Sequence, residues 1–413
     1  MLTAAKCLLA INNYYYGRGG AETLFLEHNR MFESVGWQVV PFAMRHAKNL
    51  PTPWSEFFPD EIEFGEDYGL AAKLVRAPRV IYSLQARRRL SDLLDAVRPH
   101  VAHAHNIYHH LSPSLLPLLK ERGIPVVMTL HDLKLACPAY TMMRDGQRCD
   151  SCRGGKLYNV ALHRCIKGSL ALSGLVMIEA YVHRAMRLYE ANVERFVVPS
   201  RFLLETLVAW GFPRQRFIHI PNFVDLDRFT PAKDVGRRFV YCGRLDRLKG
   251  VETLLRAVAA ARQPLTIAGS GPDEARLRGI AAQNGADVIF AGNLGREALA
   301  GLIQDARAVV LPSEVPENAP LAVLETYAAG RPVIGAANAG IPELIREDET
   351  GALFPTGDVT ALAALLTRFA ALPDSRIAAM GAAGRAWVEK DFCPSVYLQR
   401  QLDLYDSLGV RVR

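Results

Sequence analysis

Ser313-Glu-Val-Pro-Glu317-Asn-Ala-Pro-Leu-Ala-Val-Leu-Glu325, followed by Gly330-Arg-Pro-Val-Ile-Gly335, decides how this chain is read. An acid at the end of a strand, a Pro-containing turn and a helix with a second acid together build a cup. The helix N-terminus offers unpaired backbone N–H groups and a positive dipole end to a phosphate. Glu325 lies about one to two turns into that helix, where its carboxylate can accept hydrogen bonds from hydroxyls. Two acids eight positions apart are common on their own. Their neighbours give them weight, above all Tyr241-Cys-Gly-Arg-Leu-Asp-Arg-Leu-Lys-Gly250 upstream.

Outward from this stretch, short β-rich runs alternate with helical ones. Strand candidates in the first half are 7–11, 38–42, 101–105, 126–130 and 196–199. In the second half they are 238–242, 264–268, 288–291, 308–311 and 332–335. Helical candidates include 21–34, 84–97, 251–260, 276–283 and 297–305. Such alternation predicts parallel sheets covered by helices on both faces. Two series within 413 residues predict two doubly wound, Rossmann-like domains facing a cleft. The expected division is 1–198 plus 393–413 for the first and 199–392 for the second, with an amphipathic helix over 392–408.

Composition narrows the class. Half of the residues are hydrophobic and 22% are charged, as in a globular enzyme. The net charge of +7 sits in the first half, where residues 1–200 carry 24 Lys/Arg against 18 Asp/Glu. No basic block is dense or aromatic enough for nucleic acid, and an acidic substrate or an anionic membrane surface fits better. The seven basic residues within 73–98 could rest on anionic lipid or form a solvated helix face. The apolar runs at 7–11 and 170–178 fall short of the roughly 20 residues a spanning helix needs. With no secretory signal read at the start, the expectation is a cytoplasmic protein touching the inner face of the membrane.

Several loops carry residues suited to chemistry. Gly17-Arg-Gly-Gly-Ala-Glu22 follows the first strand and opens a helix, as an anion site or a plain tight turn would. Arg244 can fork onto phosphate oxygens and Lys249 adds a mobile point charge. Gly269-Ser-Gly271-Pro-Asp-Glu274 can line a nucleotide or simply cap a helix. Thr129-Leu-His131-Asp132 ends a strand, where ligands of open α/β sheets gather. The nearby His103, His105, His109 and His110 are compatible with a metal, but no carboxylate motif accompanies them.

Cys137, Cys149, Cys152 and Cys165 fall within 29 residues, and Cys149-Asp-Ser-Cys152 has a zinc-knuckle gap. The segment is polar and Gly-rich, and a tetrahedral metal would fold it. Free thiols and an iron–sulfur cluster are the alternatives, and disulfides fit a cytosolic chain less well. Four thiolates leave no open position, so the reading is a structural zinc. Cys7, Cys242 and Cys393 read as small buried hydrophobes.

Taken together, Gly19-Gly20-Ala21-Glu22, His131-Asp132, Gly243 to Gly250, Glu317 to Glu325 and Gly330-Arg-Pro-Val resemble the retaining GT-B glycosyltransferases of family four, often called glycosyl transferases group 1. The resemblance runs nearly end to end. It implies two Rossmann-like domains, a nucleotide-diphosphate sugar (UDP or GDP) in the cleft, and a final helix that crosses back to the first domain. By the same resemblance, Arg244 and Lys249 hold the donor diphosphate and Glu325 the ribose. Glu317 and the backbone of Asn318, Ala319, Pro320 and Leu321 hold the transferred sugar and phosphate. Gly19 and Gly20 approach from the other domain, His131 sits near the anomeric carbon, and Gly243, Gly269 and Gly271 complete the donor pocket. Transfer would proceed with retention and without a catalytic metal, onto a glycan or lipid-linked acceptor. A phosphorylase, a synthase of small soluble glycosides, a non-catalytic binding subunit and a metal-thiol sensor are the competing readings. Phe223 stands where the family commonly has Gly, so the turn there should differ, since Phe resists positive φ.

Overall fold

The computed structural model describes residues 6–62, 78–231 and 234–410. Among them are β1 (Cys7–Ile11), β2 (Gln38–Phe42), β3 (Val101–Ala104), β4 (Val126–Thr129), β7 (Arg195–Val198) and β8 (Phe217–His219). These form one parallel sheet in the order β2-β1-β3-β4-β7-β8. The second sheet has β9 (Phe239–Cys242), β10 (Leu265–Ala268), β11 (Val288–Gly292), β12 (Val309–Leu311), β13 (Val333–Ala336) and β14 (Gly351–Phe354). Its order is β11-β10-β9-β12-β13-β14, again parallel. Both orders reverse direction beside the first strand of the series, which opens a crevice at the carboxyl ends.

The central strands are apolar on both faces because helices cover both, as parallel sheets require. In the first unit Leu9 and Ile11 of β1 pack into one cluster with Ala104 and Leu90. Leu8 and Ala10 pack into another with Phe25 and Tyr405. The second unit repeats the arrangement with Ile267 and Leu255 on one face and Val240 and Val323 on the other.

The expected elements appear with ends shifted by at most two residues. Three features were not anticipated. β8 joins the first sheet, so strand content of that unit continues beyond residue 199. β14 closes the second sheet, and a small antiparallel hairpin, β5 (Met143–Arg144) with β6 (Gln147–Arg148), lies in the cysteine segment.

The chain returns to the first unit at its end. The helix Asp374–Asp391 breaks at Phe392 and Cys393, and Pro394 starts the helix Pro394–Ser407 at a position that needs no N–H. That last helix places Tyr397 within 3.1 Å of His28 Nδ1 and Tyr405 within 2.6 Å of His103 Nδ1. Phe223 is buried with its ring 4.4 Å from that of Tyr397, and its φ is not positive. The turn therefore differs at Phe223, and the side chain docks the final helix.

Candidate functional site

A cleft of about 750 Å³ lies between the carboxyl ends of the two sheets. From the second unit it is lined by Gly243, Arg244, Lys249, Gly269, Glu317, Asn318, Ala319, Pro320, Leu321 and Glu325. From the first it is lined by Gly19, Gly20 and His131. Gly271 does not line it. A side chain at Gly271 would stand 2.1 Å from the Leu245 carbonyl, so this glycine lets two stretches of backbone pass closely.

The loop after β9 owes its path to two devices. Asp246 accepts from the Leu248 amide at 3.2 Å, and Gly250 turns with φ +68° where a Cβ would meet the Pro312 carbonyl at 1.9 Å. This brings Lys249 Nζ to 2.6 Å from Glu317 Oε1, which also accepts from Ser313 Oγ at 2.7 Å. Arg244 is 68% exposed at its side chain and has Asp246 only at 4.0 Å, so its guanidinium is presented to the opening.

The helix Leu321–Ala328 begins at Pro320 without a side-chain cap, leaving its first amides for a ligand. Across the cleft the helix Gly20–Ser34 starts nearby, and Gly20 would meet Leu321 Cδ1 at 3.6 Å if it had a side chain. The two termini are not equivalent. Buried Glu22 faces the amides of Gly19 and its own residue, so this end offers a phosphate less than the Leu321 end. Glu325 is raised by burial, an effect that Arg228 and Arg296 oppose. Burial, together with the nearby Glu325, pushes the Cys242 thiol up to about 12.

His131 is held from behind. Its Nε2 lies 2.9 Å from His105 Nδ1, and the rings stack at 5.1 Å. Burial depresses His131 to about 4, so at neutral pH it is an uncharged imidazole. Asp132 is pushed by burial up to about 6, while its Oδ1 accepts from the Lys134 amide at 2.9 Å. Deeper still, Lys134 Nζ and His109 Nδ1 each lie 2.9 Å from a different oxygen of the wholly buried Glu179. Burial alone would raise Glu179, but Lys134 and His109 outweigh it and hold the carboxyl far below its usual range.

Among the described residues, the one trio of metal-capable side chains whose ligand atoms lie within 4.8 Å of each other is His28, His103 and His105. His103 bonds Tyr405 and Thr129 (2.7 Å), and His28 bonds Tyr397, so these rings serve as connectors to the final helix.

Sequence reasoning missed Arg18, Asn222, Ser270 and Asn293, which also line the cleft. Asn222 donates to the Ala319 carbonyl at 2.8 Å, and its signal was the Pro-Asn turn ahead of the second series. Asn318 ties the units together, donating to the Leu130 carbonyl at 3.1 Å while its Oδ1 accepts from Ser200 Oγ at 2.5 Å. Glu343 accepts from the Arg201 and Phe202 amides, capping a first-unit helix from the second unit.

The four cysteines of the insert are unpaired thiols. Burial chiefly, with smaller contributions from other thiols of the insert, raises Cys137, Cys152 and Cys165. In the basic stretch, Lys73 and Arg76 lie outside the described residues. Arg87 pairs with Glu121 at 2.6 Å and Arg122 with Asp95 at 2.8 Å, which is the pattern of a solvated helix face.

Two parallel Rossmann-like units, joined by a returning C-terminal helix and sharing a cation-lined cleft, define the GT-B class of glycosyltransferase. Residues 18–228 match the profile described as Glycosyltransferase Family 4, and residues 225–387 that described as Glycosyl transferases group 1. The chain belongs to glycosyltransferase family 4.

Among curated relatives, it is 33% identical over 249 residues to a GDP-mannose-dependent monoacylated alpha-(1-6)-phosphatidylinositol monomannoside mannosyltransferase of Corynebacterium glutamicum, covering 54% of this chain and 65% of that one. It is 29% identical over 214 residues to a putative colanic acid biosynthesis glycosyltransferase of Escherichia coli, covering 48% and 53%. The chain thus spans between half and two thirds of the length of these relatives. In fold it is similar to sucrose-phosphate synthase from Thermosynechococcus elongatus, with a TM-score of 0.73 at 21% identity over 98% and 99% of the two chains. It is also similar to Anabaena HepE in complex with UDP and glucose, with a TM-score of 0.68 at 14% identity over 98% and 100%.

Proposed function

We propose that this chain transfers a sugar from a nucleoside-diphosphate sugar to a glycan or lipid-linked acceptor, in the synthesis of a cell-surface polysaccharide or glycolipid. One observation carries the reading: Arg244, Lys249 and the uncapped Leu321 helix terminus line one cleft, with neutral His131 on the opposite wall. Departure of the nucleotide places negative charge on the diphosphate. Two cations and the amides of the Leu321 terminus are fixed where that charge develops, the arrangement that stabilises transition states most strongly. This set takes the part a divalent ion plays in other sugar transferases, so the reaction is read as metal-independent. Glu325 accepts from the ribose hydroxyls, and Glu317 is released to the sugar as Lys249 turns to phosphate. Uncharged His131 accepts from, or donates to, a sugar hydroxyl without opposing the oxocarbenium charge. Front-face attack by the acceptor, with the departing phosphate taking its proton, gives retention. The relatives named for polysaccharide and phosphatidylinositol-mannoside synthesis support this class of acceptor, and UDP and GDP are the bases to try first. Product analysis with UDP- and GDP-sugars tests the reading; folded protein that neither transfers nor hydrolyses any of them contradicts it.

The acceptor is reached at an anionic lipid surface. The helix Leu170–Ala185 is inverted, with Ser173, Glu179 and His183 buried while Leu170 (58%), Ile178 (49%) and Tyr181 (39%) face outward. Arg164 and Lys167 just before this helix, and Arg184 and Arg187 at its end, are exposed. Apolar stripes flanked by cations are the pattern of interfacial binding. Among the described residues no helix is long and apolar enough to cross a membrane. Vesicles of phosphatidylglycerol should sediment the wild type and not Ile178→Asp or Tyr181→Asp; equal recovery of all three would discard the surface.

A further inference from the structure

We propose that Asn318 is a positioning residue: its side chain locks the strand end that carries His131 to the loop that receives the donor phosphate. This role rests on the transferase reading above and names what sets the distance between the two walls.

The need for such a lock comes from the fold. His131 follows β4 of the first sheet, while Glu317 to Leu321 follow β12 of the second. The two sheets have separate apolar cores. Groups on separate bodies that act on one sugar need a fixed separation, since a misplacement of about 1 Å can cost roughly 10²-fold in rate.

Asn318 spans this gap. Its Nδ2 donates to the Leu130 carbonyl at 3.1 Å, directly ahead of His131, and its Oδ1 accepts from Ser200 Oγ at 2.5 Å. Both partner residues are buried. The orientation of the amide follows from their chemistry. A carbonyl only accepts, so Nδ2 and not Oδ1 must face Leu130. Ser200 Oγ already accepts from the Leu203 amide at 3.1 Å, which leaves its hydrogen for Oδ1. Neither partner is free to shift. The Leu130 amide bonds the Val197 carbonyl at 2.9 Å, and Ser200 caps the helix Arg201–Ala209, whose first amides Glu343 takes from the second unit.

The other end of the arm is fixed as well. The Glu317 carbonyl accepts from the Gly340 amide at 2.8 Å, and the Ala319 carbonyl accepts from Asn222. Gly340 lies so close that a Cβ there would stand 1.7 Å from the Asn318 carbonyl. With its backbone held on both sides, Asn318 can aim its side chain in one direction only. Leu321, at the end of the same loop, packs against the first-unit cluster that holds Leu24 and Phe25. A phosphate seated at the Leu321 helix terminus is thereby kept at a set distance from His131.

Small-angle scattering of the ligand-free full chain, together with sugar-transfer kinetics, tests this role. Asn318→Ala is expected to show a larger radius of gyration than the wild type and a kcat lowered by roughly 10²-fold. Its nucleotide affinity in titration calorimetry should stay within about one order of magnitude, because Arg244, Lys249 and Glu325 are untouched. Ser200→Thr, which keeps the hydroxyl, should behave as wild type, and Ser200→Ala should follow Asn318→Ala. In case Asn318→Ala does not fold, Asn318→Asp keeps the shape and sets an oxygen against the Leu130 carbonyl; it should open the ligand-free chain in the same way. Identical scattering from the wild type and the Asn318 variants overturns the role, and so does a kcat that Asn318→Ala retains. A loss of nucleotide affinity as large as the loss of kcat also overturns it, since that marks damage to the phosphate loop itself. A wild type that transfers no sugar removes the activity, while the scattering comparison still decides whether Asn318 joins the walls.

Discussion

The two walls of the cleft are built from opposite materials. All eleven histidines lie before residue 220, and the second unit has none. The first wall sets His131 on the buried connectors His105, His103 and His28, kept uncharged by burial. The second presents Arg244, largely exposed, and the ion pair of Lys249 with Glu317, partly exposed, on short loops at strand ends. Charge that must meet a ligand stays near water until the ligand arrives. Groups that must hold position without adding charge are buried and wired together. The difference teaches that the charges facing a cleft can be confined to one domain while the other lines it with buried, uncharged groups.

The largest effect should come from the buried ion cluster of Glu179, Lys134 and His109 behind the first wall. Glu179→Ala leaves Lys134 buried without its carboxylate and should cost about 3–5 kcal/mol in chemical denaturation. A loss below about 1 kcal/mol would mean that the cluster is wet, and the contrast between the walls would weaken. On the second wall, Lys249→Ala should lower kcat by roughly 10²- to 10³-fold with unchanged thermal stability, read by sugar-transfer assay. A variant that loses stability and activity together would make Lys249 a structural partner of Glu317 instead.

Acid should separate the walls next. His28 and His110 sit at about 3 and His131 at about 4, all depressed mainly by burial. The unfolded chain takes up these protons first, so the stability they allow is full above about pH 6.5 and is lost as pH falls toward 4. Asp132, raised to about 6, works the other way over part of this range, since it binds its proton in the folded state first. The histidines outnumber it, so the net slope is destabilising. Hydrogen exchange between pH 7 and pH 4.5 should show the first sheet opening before the second; simultaneous opening would contradict the division. The smallest effect belongs to the connectors. Tyr405→Phe removes a bond to His103 and should cost about 0.5–1.5 kcal/mol. It should also loosen the final helix, as read by proteolysis after residue 392.

Much of the second wall was legible in the sequence because its chemistry is local. Arg244, Lys249, Glu317 and Glu325 sit at fixed offsets from strand ends, and short loops leave them little choice of direction. Gly271 misled for the same reason: a glycine in a strand-to-helix loop reads as ligand contact, while the fold uses it where the Leu245 backbone passes closely. The first wall was hidden because its logic is long-range. His103 and Tyr405 are separated by 302 positions, and no spacing rule relates them. The inverted helix at 170–185 was equally opaque, since its buried Glu179 is intelligible only beside Lys134 and His109. β8 escapes the list of strand candidates because it is only three residues long and its pairing with β7 depends on register, not on composition.

The central claim is that the cleft binds a nucleoside diphosphate through the second wall. Isothermal titration of UDP, GDP, ADP and TDP against the wild type and Glu325→Ala tests it most directly. The account predicts selective binding of one nucleotide, weakened by roughly tenfold or more when the ribose acceptor is lost, as expected for a buried hydrogen bond to a charged group. Folded wild-type protein that binds none of the four, or a Glu325→Ala variant that binds as tightly as wild type, would contradict it.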